Sequence, residues 1–121
     1  MYQRPKEHET YLFLISGASG WTNCAESFLF SLVNPSGSEP TKMPLKGNNT
    51  NYGIFCDSSY GPTFGGGHDL YIANVANANS SSRSKLGNTY QCPASADSSS
   101  FLAGQKNFRV SELEVFVFKA N

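Results

Sequence analysis

The residues of this chain best suited to chemistry are His68, which sits between the run Gly65-Gly66-Gly67 and Asp69, and the two acids Glu112 and Glu114. A histidine oriented by a carboxylate can take the proton of a serine hydroxyl, so His68 with Glu112 or Glu114 and a serine would make a hydrolytic constellation. The sequence marks no serine for that role, because Gly17-Ala18-Ser19-Gly20 lacks the spacing of a GxSxG elbow. His68, Glu112 and Glu114 are therefore weak catalytic candidates, and the expectation is a hydrogen-bonded structural histidine.

The glycine run lacks the Lys-Ser/Thr of a phosphate loop and opens no helix, so it is read as architecture, a tight corner needing positive φ and close backbone approach. Asp57, Asp69, Asn74, Asn77 and Asn79 offer hard oxygen ligands, but not in the Asp-x-Asp-x-Asp pattern of a calcium loop. Cys24, Cys56 and Cys92 form no CxxC pair and have no close histidine, which points to free thiols rather than to zinc or a disulfide framework. No metal and no cofactor is expected.

Nine Lys and Arg balance nine Asp and Glu, so no net field draws in nucleic acid or an anionic membrane. Residues 1–10 are polar, and the apolar stretch 11–15 is too short for a signal core or a membrane span, so the expected chain is soluble, intracellular and cytoplasmic. Two glycosylation sequons, at Asn48 and Asn79, are read as chance matches in a chain rich in Asn and Ser.

These candidates must be positioned by strands. Residues 11–15, 28–33, 52–56, 70–75 and 108–118 are short apolar runs bounded by Gly, Pro, Asn or Ser. In the second run Phe28, Phe30 and Leu32 share one face and Leu29 and Val33 the other, which places that strand near the centre of a sheet. The last run alternates Leu113, Val115 and Val117 with Glu112, Glu114, Phe116 and Phe118. Phe28, Phe30, Leu32, Ile54, Leu113 and Val115 are the expected core. The tract at 94–100 is read as a mobile surface loop. The fold class is mainly β: a two-sheet antiparallel β-sandwich with little helix, formed by one domain at residues 10–121 behind a tail at 1–9.

Ser27-Phe28-Leu29-Phe30-Ser31-Leu32, Ile54-Phe55-Cys56-Asp57, Phe64-Gly65-Gly66-Gly67-His68-Asp69-Leu70, Leu86-Gly87-Asn88 and the segment 108–118 follow one another in an order and spacing that resembles the TLDc domain family. The resemblance covers about residues 10–118 and matches the C-terminal two-thirds of the family domain, whose N-terminal helices and early strand have no counterpart ahead of Tyr11. It implies a sandwich of two antiparallel sheets, a non-catalytic protein-interaction role, and a link to oxidative-stress protection. It also implies regulation of the vacuolar proton pump, with a pump subunit as the partner, although the divergent loop at 33–51 departs from the family. A triad involving His68 and the Glu-Leu-Glu segment is likewise implied only by the resemblance.

The leading reading is thus a module that docks another protein through its loops and strand edges, with Gly65, Gly66, Gly67, His68 and Asp69 as structural or interaction residues and the strand carrying Leu14, whose two apolar faces suggest a homodimer, as the surface to be covered. Two alternatives stay open. One is a weak hydrolase or peroxide-detoxifying enzyme centred on His68 or a cysteine. The other is a carbohydrate-binding β-sandwich, which needs aromatics clustered on one exposed face.

Overall fold

The computed structural model describes residues 9–12, 20–22, 27–47, 49–57 and 59–113. Among them lie nine strands: β1 (Glu9–Leu12), β2 (Gly20–Thr22), β3 (Phe28–Val33), β4 (Thr41–Pro44), β5 (Ile54–Cys56), β6 (Thr63–Phe64), β7 (Leu70–Tyr71), β8 (Ser82–Ser84) and β9 (Asn107–Phe108). The described residues hold no α-helix, only a 3-10 turn at Asn49–Tyr52. The strands form two antiparallel sheets, one ordered β1-β3-β4 and the other β2-β5-β6-β7-β8-β9. The expected mainly β, two-sheet class is what the chain adopts.

Strand periodicity decides what each sheet buries. In the larger sheet Ile54, Phe64, Leu70 and Ser84 stand opposite one another in register, and all are buried. In the smaller sheet Leu29 faces Met43 across β3 and β4, and both are fully buried. These two inner rows meet in one core with Ile72, Leu86, Tyr90, Phe101 and Leu102.

The inner face of β3 is the reverse of the one expected. Leu29 and Ser31 point inward, while Phe28 and Phe30 are half-buried and Leu32 is 40% exposed. Both faces of this strand are apolar, so ring size favoured the wrong one. β1 also pairs Thr10 with Ser31 and Glu9 with Val33, which skips Leu32 and leaves it on a bulge. On the outer side Lys42 lies 4.3 Å over the Phe28 ring, and Phe28 and Phe30 pack at 5.8 Å. Leu113, expected in the core, is 47% exposed, whereas Ile54 is buried as expected. Val115, Glu114 and Leu14 lie outside the described residues.

The tract at 94–100 is also more ordered than its composition suggests. The Asp97 carboxylate accepts from the amides of Ser99 and Ser100 and from the Ser100 hydroxyl, and the Phe101 amide donates to the Asp97 carbonyl at 3.0 Å. This is an Asp-capped helical turn. It drives Phe101 and Leu102 into the core, while Ser98 and Ser99 carbonyls accept from the Leu86 amide and the Ser84 hydroxyl.

Candidate functional site

The chain leaves β6 through Gly65-Gly66-Gly67-His68, a turn closed by the His68 amide donating to the Gly65 carbonyl at 3.0 Å. Gly65 has φ +93, and a Cβ there would fall on the Asp69 carboxylate. Gly67 faces Asn88 Nδ2, which a Cβ would approach to 2.8 Å, while Gly66 has ordinary room. The expected corner is real, and it is Gly65 that requires glycine, while Gly67 is tight only against the Asn88 side chain.

His68 and Asp69 then point to opposite purposes. Asp69 is fully buried, and its carboxylate accepts from three successive amides, Asn88 at 3.1 Å, Thr89 at 2.9 Å and Tyr90 at 3.0 Å. Burial pushes its pKa up, and the three amides partly offset that rise. The same segment pairs with the smaller sheet: the Lys46 amide donates to the Thr89 carbonyl at 2.8 Å, and the Gln91 amide to the Pro44 carbonyl at 2.9 Å. Asp69 therefore clamps the β6–β7 turn of one sheet to a strand-like extension of the other. Tyr90 completes the clamp. Its hydroxyl donates to the Gly53 carbonyl at 2.8 Å, which leaves Ser27 to donate to it at 2.7 Å.

His68 looks outward. Register places Phe55, Thr63, Tyr71, Arg83 and Asn107 in one row across the outer face of the larger sheet. The imidazole lies 6.2 Å from the Phe55 ring and 6.0 Å from the Tyr71 ring, at interplanar angles of 28° and 24°. In register Thr63 falls between Phe55 and Tyr71, and it is fully buried. Tyr60 packs edge-on against Phe55, His68 and Tyr71 at 5.5, 5.9 and 5.5 Å. Arg83 reaches across Tyr71, 5.3 Å from its centroid, and one guanidinium nitrogen lies 3.5 Å from His68 Nδ1.

This surrounding fixes the chemistry available to the histidine. An arginine only donates, so Nδ1 accepts and the ring proton belongs on Nε2. Burial and the Arg83 charge lower the His68 pKa, with Asp69 opposing them in part. A triad histidine needs the reverse, a carboxylate at Nδ1 that stabilises the imidazolium. Backbone conformation adds a constraint, since His68 has φ 56 in the left-handed region.

Among the described residues the remaining candidates are not gathered around His68. Glu112 lines a separate cleft of about 330 Å³ with Asn74, Val75 and Leu113. Cys24 lies outside the described residues, and Cys92 is half-buried with its pKa raised, first by burial and then by the nearby Asp97 charge, so it is not poised as a thiolate. Among the described residues no three His, Cys, Asp or Glu side chains come together as a metal site. Asp57 and Asn79 instead hold turns, accepting from the Ser59 and Ser81 amides. No described helix is long and apolar enough to cross a membrane.

Phe55, Tyr60, Tyr71 and Arg83 were not singled out in the sequence. The signal lay in alternation, since each strand residue follows or precedes a core residue by one position: Phe55 beside Ile54, Tyr71 beside Leu70 and Arg83 between buried Ser82 and Ser84.

No curated protein and no solved structure matches the chain. The family model of the TLDc domain matches residues 15–119, which is most of the sequence. This chain belongs to the TLDc domain family.

Proposed function

We propose that the chain is a non-catalytic TLDc-type module that works in the cytoplasm by binding another protein, with a vacuolar proton-pump subunit as partner and protection against oxidative stress as the process served. The observation that carries the reading is the company His68 keeps. Its Nδ1 faces a guanidinium and its ring is flanked by Phe55 and Tyr71, an arrangement that disfavours the imidazolium on which acyl transfer depends. The same cluster of Tyr, Phe and Arg has the composition that dominates protein interfaces. A sugar platform fits it less well, because the ring faces of Phe55, His68 and Tyr71 are turned toward one another.

The test has two arms. Purified chain incubated with ester and peroxide substrates should show no turnover that His68→Gln removes, and it should bind purified vacuolar proton-pump subunits in a sedimentation assay. Turnover lost on that one change would establish the enzyme reading instead.

A second mode, homodimerisation, is favoured by β1, which pairs with β3 alone among the described residues and so lies at the edge of its sheet. Sedimentation at micromolar concentration should show a dimer that Leu14→Lys shifts toward monomer; a wild-type monomer would rule this mode out.

A further inference from the structure

Beside the aromatic cluster the outer face turns cationic. Arg83 is exposed on β8, Lys85 follows it by two residues, and across the β8–β9 pairing lie the exposed Lys106 and Arg109. Ser84 and Lys106 are joined by a backbone hydrogen bond of 3.1 Å, so these four cations come from two adjoining segments. Neither 82–85 nor 106–109 contains an acid, although the whole chain is neutral. Among the described residues no carboxylate pairs with Arg83, whose contacts are the Tyr71 ring and His68 Nδ1.

We propose that this face, from Tyr60 across Tyr71 to Arg83, Lys85 and Arg109, binds an acidic peptide segment of a protein partner. The proposal rests on the module reading above and names the chemistry of what that module takes. Arg83 is the anchor. Its register position beside Tyr71 and its lie over that ring restrict its rotamers, so the guanidinium is held ready for a carboxylate, which it can grip through two parallel N–H groups. Tyr60, 40% exposed and edge-on to Tyr71, offers an apolar edge to a neighbouring side chain of the peptide. Lys85 and Arg109, which share the strand parity of Arg83 and Asn107, extend the positive field and steer an acidic segment toward the anchor.

Three other anions or platforms could be drawn to cations near aromatic rings. A single-stranded nucleic acid would need open ring faces for base stacking. Here the planes of Phe55, His68 and Tyr71 lie within 28° and 24° of one another, and Tyr60 stands against their edges, so the rings stack on themselves. A sugar fails for the same reason. A lipid surface would use the cations alone and leave the aromatic edge without a role.

The experiment titrates the isotopically labelled full chain with a short peptide alternating Glu and Leu, watching backbone amides by NMR, at low and at physiological salt. Saturable shifts confined to residues 60–61, 71, 82–85 and 106–109 are expected. Arg83→Gln should weaken binding about tenfold or more while the Tyr90 amide stays in place, since the loss of charge-assisted bonds is worth at least that factor. Lys85→Gln with Arg109→Gln should weaken it less and flatten its salt dependence.

The same peptide with Gln for every Glu should not bind. Equal binding of the Gln peptide, unchanged affinity in Arg83→Gln, or binding of an oligothymidine or a phosphatidylserine vesicle without the acidic peptide would each overturn the proposal. If the acidic peptide fails while pump subunits still bind, this inference falls and the module reading stands. If it binds here while His68→Gln abolishes a real turnover, the reverse holds.

Discussion

Replacing one glycine at a time in the Gly65-Gly66-Gly67 run separates conformational strain from simple loss of flexibility. Gly65→Ala meets two costs. Alanine in the left-handed region costs roughly 1–2 kcal/mol, and φ +93 lies beyond the centre of that well. The new Cβ would also occupy the place of Asp69 Oδ1, so the carboxylate must move away from the Asn88, Thr89 and Tyr90 amides. Losing one of those charge-assisted bonds costs about 1.5–3 kcal/mol. Together the change should cost about 3–5 kcal/mol, a large share of a total stability of roughly 5–15 kcal/mol.

Gly67→Ala presses on the Asn88 amide group, an exposed side chain that can swing aside, and should cost about 1 kcal/mol. Gly66→Ala meets nothing closer than 3.4 Å and has no positive φ, so its effect should stay within about 0.5 kcal/mol. Urea unfolding read at constant slope gives the ranking directly. Thermal melts should agree, with Gly65→Ala lower by about 15 °C or more. If Gly65→Ala costs no more than Gly66→Ala, the carboxylate is not held as described and the clamp between the sheets is wrong.

Tyr90→Phe should cost about 1–3 kcal/mol, because it leaves the Gly53 carbonyl and the Ser27 hydroxyl without their buried partner; calorimetry checks this, and a neutral result would mean that water replaces the hydroxyl. Leu29→Ala should cost about 2–5 kcal/mol and exceed Phe30→Ala, which loses only a half-buried ring; the opposite order in denaturant melts would restore the other face of β3 to the core. The folded pKa of His68 lies below 6.5, so its neutral form stabilises the fold above that pH, and the contribution is lost as pH falls through the folded value. In Arg83→Gln an NMR titration of the His68 ring should move upward toward 6.5, and an unchanged value would show that the guanidinium does not act on it.

The sequence announces a strand most clearly where its length is sufficient, as at Phe28–Val33, and hides it where only two residues pair outside an apolar run, as at Thr63–Phe64; the runs at 70–75 and 108–118 mark the strands Leu70–Tyr71 and Asn107–Phe108 but not their short length among the described residues. Two residues cannot display a period. The inner face of β3 was misread because hydrophobicity alone cannot choose between Leu29 and the larger Phe28 and Phe30. The corner at Gly65 was legible because a glycine run before a polar pair has few other uses. The company of His68 was not, since Phe55, Tyr60, Tyr71 and Arg83 come from separate elements that only strand register aligns. Asp97 shows the converse: one capping residue orders a tract that composition marks as loose.

The hydroxyl of Tyr90 also sets a timetable for folding. It closes a bond to Ser27 across 63 positions and another to Gly53 across 37, so neither loop can close until the later partner exists. On the ribosome, at about 5–20 residues per second, Tyr90 is made roughly 3–13 s after Ser27. Leu29 and Met43 lack Phe64 and Leu70 for the first half of that interval and Leu86, Tyr90, Phe101 and Leu102 for longer. A topology closed by such distant contacts folds slowly, on the millisecond-to-second scale even from the full-length chain. The period of greatest exposure to aggregation or to a chaperone therefore falls before Tyr90 emerges, and the smaller sheet is the part at risk.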